Sequence, residues 1–211
     1  MSRHFPVIAL SLFSFLTLAL GPLGSAEASL LRRRPPPSRP TYQLGLTLGS
    51  GLAFLRSDNP IFQNLESQPF TAGLVTRSSA ERLQLELGVV YQHSFISGAL
   101  NDPTAFTSVN IPLLARFLAP KEWGPLPWGI GLGFERRFFV NRAEGPRLDG
   151  WVVQEAVNVL PVSLLTEWYL SHENQLTVEI RYQHSLDSFY KGGDFRSFDE
   201  LMLFVTLLQG F

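Results

Sequence analysis

From Tyr42 to Leu55 the chain deals apolar side chains to alternate positions. Tyr42, Leu44, Leu46, Leu48, Leu52 and Phe54 fall on one face, and Gln43, Gly45, Thr47, Gly49, Gly51 and Ala53 on the other. Period 2 sustained this far predicts a strand much longer than the roughly five or six residues usual in soluble sheets. Arg82–Gln92 repeats the pattern, with Leu83, Leu85, Leu87, Val89 and Tyr91 set against Arg82, Gln84, Glu86, Gly88 and Gln92. So does Leu176–Gln183, with Leu176, Val178, Ile180 and Tyr182 set against Thr177, Glu179, Arg181 and Gln183. Weaker runs over Phe70–Arg77, Thr107–Phe117, Trp128–Asn141, Asn158–Leu170 and Phe198–Phe211 bring the candidates to eight strands, and no stretch has the period of an amphipathic helix.

The opposite faces carry Arg77, Arg82, Glu86, Arg116, Glu135, Arg137, Glu167, Glu179 and Arg181 among Gly, Thr and Ser. The alternate faces are almost wholly Leu, Val, Ile and Phe, with Arg136 as the exception. A soluble ligand-binding barrel turns its apolar side inward, whereas a membrane barrel turns it toward lipid around a polar interior. Strand length favours the second arrangement. The fold predicted for residues 41–211 is therefore all-β: an eight-stranded antiparallel up-and-down transmembrane β-barrel.

The connections agree. With the first strand running outward, the outer connections are 56–69, 94–106, 142–157 and 184–197, all long, and the inner ones are Ser78–Glu81, Leu118–Pro127 and Ser171–Asn174. Long outer loops and short inner turns are the habit of outer-membrane barrels. Aromatic residues gather near strand ends, with Tyr42, Trp128, Trp168 and Tyr169 inside and Tyr91, Phe138 and Tyr182 further out, as two interfacial girdles would. Phe211 closes the series Leu201, Leu203, Val205, Leu207, which Gln209 interrupts.

Composition sharpens the picture. Only 17% of the 211 residues are charged against 45% hydrophobic, below the roughly 25% charge of a typical soluble domain. There is no Cys, which excludes disulfides, thiolate metal sites and Cys nucleophiles. A net charge of −1 gives no basic field for nucleic acid. At the N-terminus, Arg3 and His4 precede the apolar run Val7–Leu20, a Gly21-Pro22 break and the small residues Ala26-Glu27-Ala28. This is the plan of a secretory signal peptide, residues 1–28, with cleavage after Ala26 or Ala28. Residues 29–40 hold Arg32, Arg33, Arg34 and Arg39 among four prolines, an extended periplasmic tail with no core-forming capacity. Without that leader and tail, 12 basic residues face 17 acidic ones, so the barrel domain is acidic while the tail is basic.

The stretch Ser108-Val109-Asn110-Ile111-Pro112-Leu113-Leu114-Ala115-Arg116-Phe117, followed by the Gly-alternating Gly129-Ile130-Gly131-Leu132-Gly133-Phe134, resembles the small outer-membrane β-barrel domain family, including its PorT-like members. Glu179-Ile180-Arg181-Tyr182 is similar to that family's penultimate strand, and Phe211 resembles the terminal aromatic signal read by the barrel-assembly machinery. The chain has Gln183-His184-Ser185 where the family carries a Gly soon after the tyrosine. The resemblance implies a fold and a Gram-negative outer-membrane location, with membrane lipid and the assembly machinery as partners, and no chemistry.

Candidate chemistry is sparse. The tetrapeptide Tyr-Gln-His-Ser occurs twice, at Tyr91–Ser94 and Tyr182–Ser185. A His base and a Ser nucleophile need hydrogen-bond reach, but neighbours on a strand point to opposite faces, so neither pair is well placed. A lipid A-modifying hydrolase is thus an alternative, as is a soluble periplasmic ligand-binding barrel. His93, His172 and His184 are not expected to share a metal, since His172 falls in an inner turn, and no cofactor is expected. Eight strands leave a lumen that side chains can fill. Arg82, Glu86, Arg116, Glu135, Arg137, Glu167, Glu179 and Arg181 are expected to pair across it as a plug. Recognition of an extracellular or periplasmic partner would then fall to the loops, above all 184–197.

Overall fold

A computed structural model describes residues 41–57, 65–97, 104–120, 123, 127–141, 152–171, 173–188, 190–191 and 195–211. The leader and tail at 1–40, His172 and most of each outer loop lie outside the described residues. Contacts divide the chain into residues 1–32 and 33–211, and every described residue belongs to the second unit.

The strands are β1 (Thr41–Ser57), β2 (Leu65–Ala80), β3 (Leu83–Ser97), β4 (Thr104–Leu118), β5 (Trp128–Asn141), β6 (Val152–Val153), β7 (Ala156–Tyr169), β8 (Asn174–Ser185), β9 (Tyr190–Lys191) and β10 (Phe195–Gly210). Eight of them close a barrel in chain order, each antiparallel to its neighbours, with β10 returning to β1. The two-residue β6 and β9 form a separate ladder, Val152 opposite Lys191 and Val153 opposite Tyr190, which joins the last two outer connections. Nothing in the alternation foretold that ladder, because two residues carry no period.

Alternation sorts the two faces as predicted for a transmembrane barrel. Leu46, Leu74, Leu87, Leu113, Leu132, Leu164, Ile180 and Leu207 stand exposed on the outside, while Arg77, Glu86, Arg116, Glu135 and Glu179 are buried within. A soluble barrel has the reverse arrangement, so the soluble periplasmic alternative does not fit this wall.

The strands overrun their predicted limits. The alternation predicts β2 over Phe70–Arg77, yet pairing continues from Glu66 opposite Ser97 to Ala80 opposite Leu83. The outer connections shrink to 58–64, 98–103, 142–155 and 186–194. Side-chain alternation reports contact with lipid, whereas pairing depends only on the backbone and continues past the apolar band. The first inner turn shrinks to Glu81-Arg82, whose first residue has φ 53° in the left-handed region. At the other limit, the last strand ends at Gly210, and Phe211 lies just beyond it with its N–H donated to Tyr42 O at 3.0 Å.

Three inward prolines mark lapses in otherwise continuous ladders. Pairing of β1 with β2 skips from Ser50–Phe70 to Ala53–Ser67 around Pro69. That of β3 with β4 skips from Leu87–Leu113 to Val90–Asn110 around Pro112. That of β5 with β7 skips from Leu132–Val162 to Glu135–Val159 around Pro161. Proline brings no N–H to a ladder, so the wall is locally less bonded there.

Glycine on β1 makes room at the closing seam. β10 turns Met202, Phe204 and Leu208 inward, larger than the lumen would otherwise admit beside β1. A Cβ on Gly49 would lie 2.8 Å from the Phe204 ring, inside van der Waals contact. The absent side chain is what lets Phe204 occupy the lumen.

Candidate functional site

The inward charges form two clusters at different heights. The first lies toward the end that carries both strand termini, Thr41 and Gly210. Arg77, near the end of β2, donates from Nη2 to Glu86 Oε2 and from Nη1 to Glu167 Oε1, both at 2.7 Å, with Thr177 Oγ1 also accepting at 3.1 Å. Gln84 Nε2 donates to the second Glu167 oxygen at 3.2 Å. Arg116, from β4, spans Glu86 Oε1 at 2.7 Å and Glu179 Oε2 at 2.5 Å. Arg181 holds Glu179 Oε1 at 3.0 Å from Nε and rests 4.2 Å from the Phe204 ring centroid. Three guanidinium groups thus meet three carboxylates from β2, β3, β4, β7 and β8. Arg116 still keeps Nε and Nη1 without a partner among the described residues.

The second cluster lies toward the outer-loop end. Arg137 on β5 holds Glu200 through Nη1 and Nη2, each at 2.9 Å, and Glu135 Oε1 through Nη2 at 2.9 Å. Gln183 Nε2 donates to Glu135 Oε2 at 3.0 Å, and Gln92 Nε2 to Glu200 Oε1 at 3.0 Å. Asn110 Nδ2 in turn donates to Gln92 Oε1 at 2.9 Å, with Ser108 donating to Asn110 Oδ1 at 2.8 Å. The Arg137 guanidinium also lies 4.8 Å from the Phe198 ring centroid.

Of the charges expected to pair across the lumen, Arg82 is the one the structure places elsewhere. It is exposed in the Glu81-Arg82 turn, because β3 begins one residue later than its alternation suggested. Arg77, inward by the same alternation, also belongs to the first cluster. Glu200 went unrecognised. It follows Asp199 directly at the start of β10, where the inward face is mostly apolar, but counting back from Leu207, Val205, Leu203 and Leu201 would have turned Glu200 inward and Asp199 outward.

The repeated Tyr-Gln-His-Ser segments are divided by the wall. Ser94 lines the lumen and Ser185 is buried, accepting the Phe198 N–H at 2.8 Å. Their neighbours His93 and His184 take the other parity. His93 Nδ1 meets Thr107 Oγ1 at 3.0 Å, and His184 Nδ1 meets Asp199 Oδ1 at 2.7 Å, an oxygen that also accepts from Tyr182 Oη at 2.6 Å. β3 and β8 are not neighbours in the barrel, so the two segments do not combine. Arg136, the exception on the apolar face, donates to Asn158 Oδ1 at 2.6 Å and lies 5.8 Å from the Phe138 ring centroid.

Tyr42, Tyr91 and Tyr182 are exposed on the outside, and Trp128, Trp168 and Tyr169 are half-buried. Trp128 packs against Trp123 with ring centroids 6.0 Å apart. Tyr91 lies well inside the extended β3 rather than at its end. Among the described residues, no three His, Asp or Glu side chains gather as a metal site would require.

An apolar exterior, a charged interior and eight antiparallel strands define the class: a small β-barrel of the outer-membrane type. Solved structures agree on the fold. The chain is similar to the outer membrane protein OprG from Pseudomonas aeruginosa, with a TM-score of 0.54 at 11% identity over 85% of this chain and 99% of that one. It is similar to outer membrane protein AlkL, with a TM-score of 0.53 at 10% identity over 85% and 94%. It is also similar to Neisserial surface protein A, with a TM-score of 0.50 at 14% identity over 79% and 96%. No protein-family model and no curated protein sequence matches the chain.

Proposed function

We propose that the chain is a non-enzymatic protein of the Gram-negative outer membrane, a rigid barrel with a closed lumen that presents its outer loops for recognition. The observation that carries the closed lumen is the first charge cluster. Its side chains come from five strands, meet in the middle and are at most 4% exposed. In a barrel of this strand number such side chains fill the available width. Opening a path would mean parting buried ion pairs, each of which leaves a costly unpaired charge when broken.

On this reading, residues 1–28 are a cleaved signal peptide and 29–40 a periplasmic tail. Phe211, exposed beside the β1–β10 seam, is the terminal signal for the barrel-assembly machinery. Tyr42, Trp128, Trp168 and Tyr169 sit at one lipid–water boundary, with Tyr91 and Tyr182 toward the other. The resemblance to PorT-like barrels belongs to the same reading. The segment 184–197 is the favoured contact loop, and its β9 pairs with β6 of the preceding connection, which offers a partner two loops held together.

Cell fractionation with a heat-shift gel tests the placement. The protein is expected in the outer membrane, migrating as a compact species in detergent until boiled. Recovery in the periplasmic extract, with no change of mobility on boiling, would sink the proposal.

A further inference from the structure

The two lumen clusters differ in charge balance. Toward the terminal end, three guanidinium groups answer three carboxylates. Toward the loop end, Arg137 is the one cationic side chain paired with Glu135 and Glu200 among the described residues, with Arg181 acting on Glu135 from further off. Counted among the described residues, that cluster carries one carboxylate charge in excess, beneath a cavity.

The cavity, of about 30 Å³, is lined by Glu200, Arg137, Gln92, Ser67, Ser94 and Ser108, with Ala53 and the rings of Phe106, Phe139 and Phe198. One water needs about 10–15 Å³ by this measure, so there is space for a small polar head group. Ser67 gives a second and independent indication. Its side chain lines the cavity and the residue is only 3% exposed, yet Oγ has no partner among the described residues. Buried hydroxyls are ordinarily bonded. An unpartnered hydroxyl, able to donate or accept, and a surplus carboxylate share one small space, and a positively charged donor satisfies both.

The geometry points to a binding site for the primary ammonium head of a small organic cation. A Glu200 oxygen accepts one N–H, Ser67 Oγ accepts another, and the short alkyl portion lies against the phenyl walls. A metal ion suits the site less well, because its lining offers one carboxylate residue and hydroxyls among apolar walls. The inference rests on the closed-lumen reading only in that the cluster below supplies the floor.

The test is an NMR titration of the full barrel in detergent micelles with ethylammonium chloride, using ethanol at equal concentration as the neutral control. Saturable amide shifts are expected at Ser67, Gln92 and Glu200 with ethylammonium and none with ethanol. Glu200→Gln leaves Arg137 balanced by Glu135 alone and should weaken ethylammonium binding at least tenfold. Glu135→Gln should weaken it similarly by removing the surplus from the other side. Absence of saturable shifts in the unaltered protein, equal shifts with ethanol, or undiminished binding in Glu200→Gln would each overturn the proposal. Failure of the closed lumen would show separately, as conductance across a bilayer, and would leave these titration results to be judged on their own.

Discussion

The lower and upper halves of the lumen use the same chemistry to different ends. In the lower half, Glu86 is shared between Arg77 and Arg116, and Glu179 between Arg116 and Arg181, so each charge is answered and strands on opposite sides of the barrel are tied together. In the upper half, one guanidinium serves two carboxylates, and a ring of amides and hydroxyls supports the remainder. On the proposed reading, a balanced, interlocked cluster acts as a plug. An unbalanced one beside a cavity is suited to receive something. The difference lies in stoichiometry rather than in burial, since both sets are almost wholly shielded from solvent.

The largest effect should come from breaking the lower cluster. Glu86→Gln removes the charge shared by Arg77 and Arg116 and strands part of two buried guanidinium groups, a loss of about 3–5 kcal/mol, read from urea unfolding in detergent. Gly49→Val attacks the same cluster through its packing. The new side chain collides with Phe204, on which Arg181 rests, and overpacking of this kind costs about 1–3 kcal/mol in the same assay. The hairpin joining Arg77 to Glu86 can be tightened instead. Glu81→Gly relieves the left-handed φ at the turn and should raise stability by about 1 kcal/mol. The upper cluster should respond least, because Glu200→Gln leaves the Arg137 guanidinium still paired with Glu135, so its cost should fall below that of Glu86→Gln. Equal losses for Glu86→Gln and Glu200→Gln would erase the distinction between the two halves.

Much of this arrangement was legible in the chain because lipid enforces strict alternation wherever it touches a strand. Trp128–Asn141 was bounded correctly from that pattern alone. The predicted ends of β2 and β8 fell short because Glu66, Ser67, Gln68 and Asn174 pair through their backbones outside the apolar band, where alternation no longer has a cause. Arg82 misled because parity was extended one residue past the true start of β3. Glu200 escaped notice because Met202, Phe204 and Leu208 make the inward face of β10 apolar, and the compensating glycines that admit them lie on β1, over 150 positions earlier. Pairing partners across a lumen are set by barrel closure, which no local pattern encodes. The surplus carboxylate could be counted only after each ion pair had been assigned.

The central claim is that the interlocked Arg77–Glu86–Arg116–Glu179–Arg181 cluster shuts the lumen. Planar-bilayer recording of the purified barrel tests it most directly. A silent baseline is expected from the unaltered protein under applied voltage. Stable, large conductance steps from that same protein would contradict it.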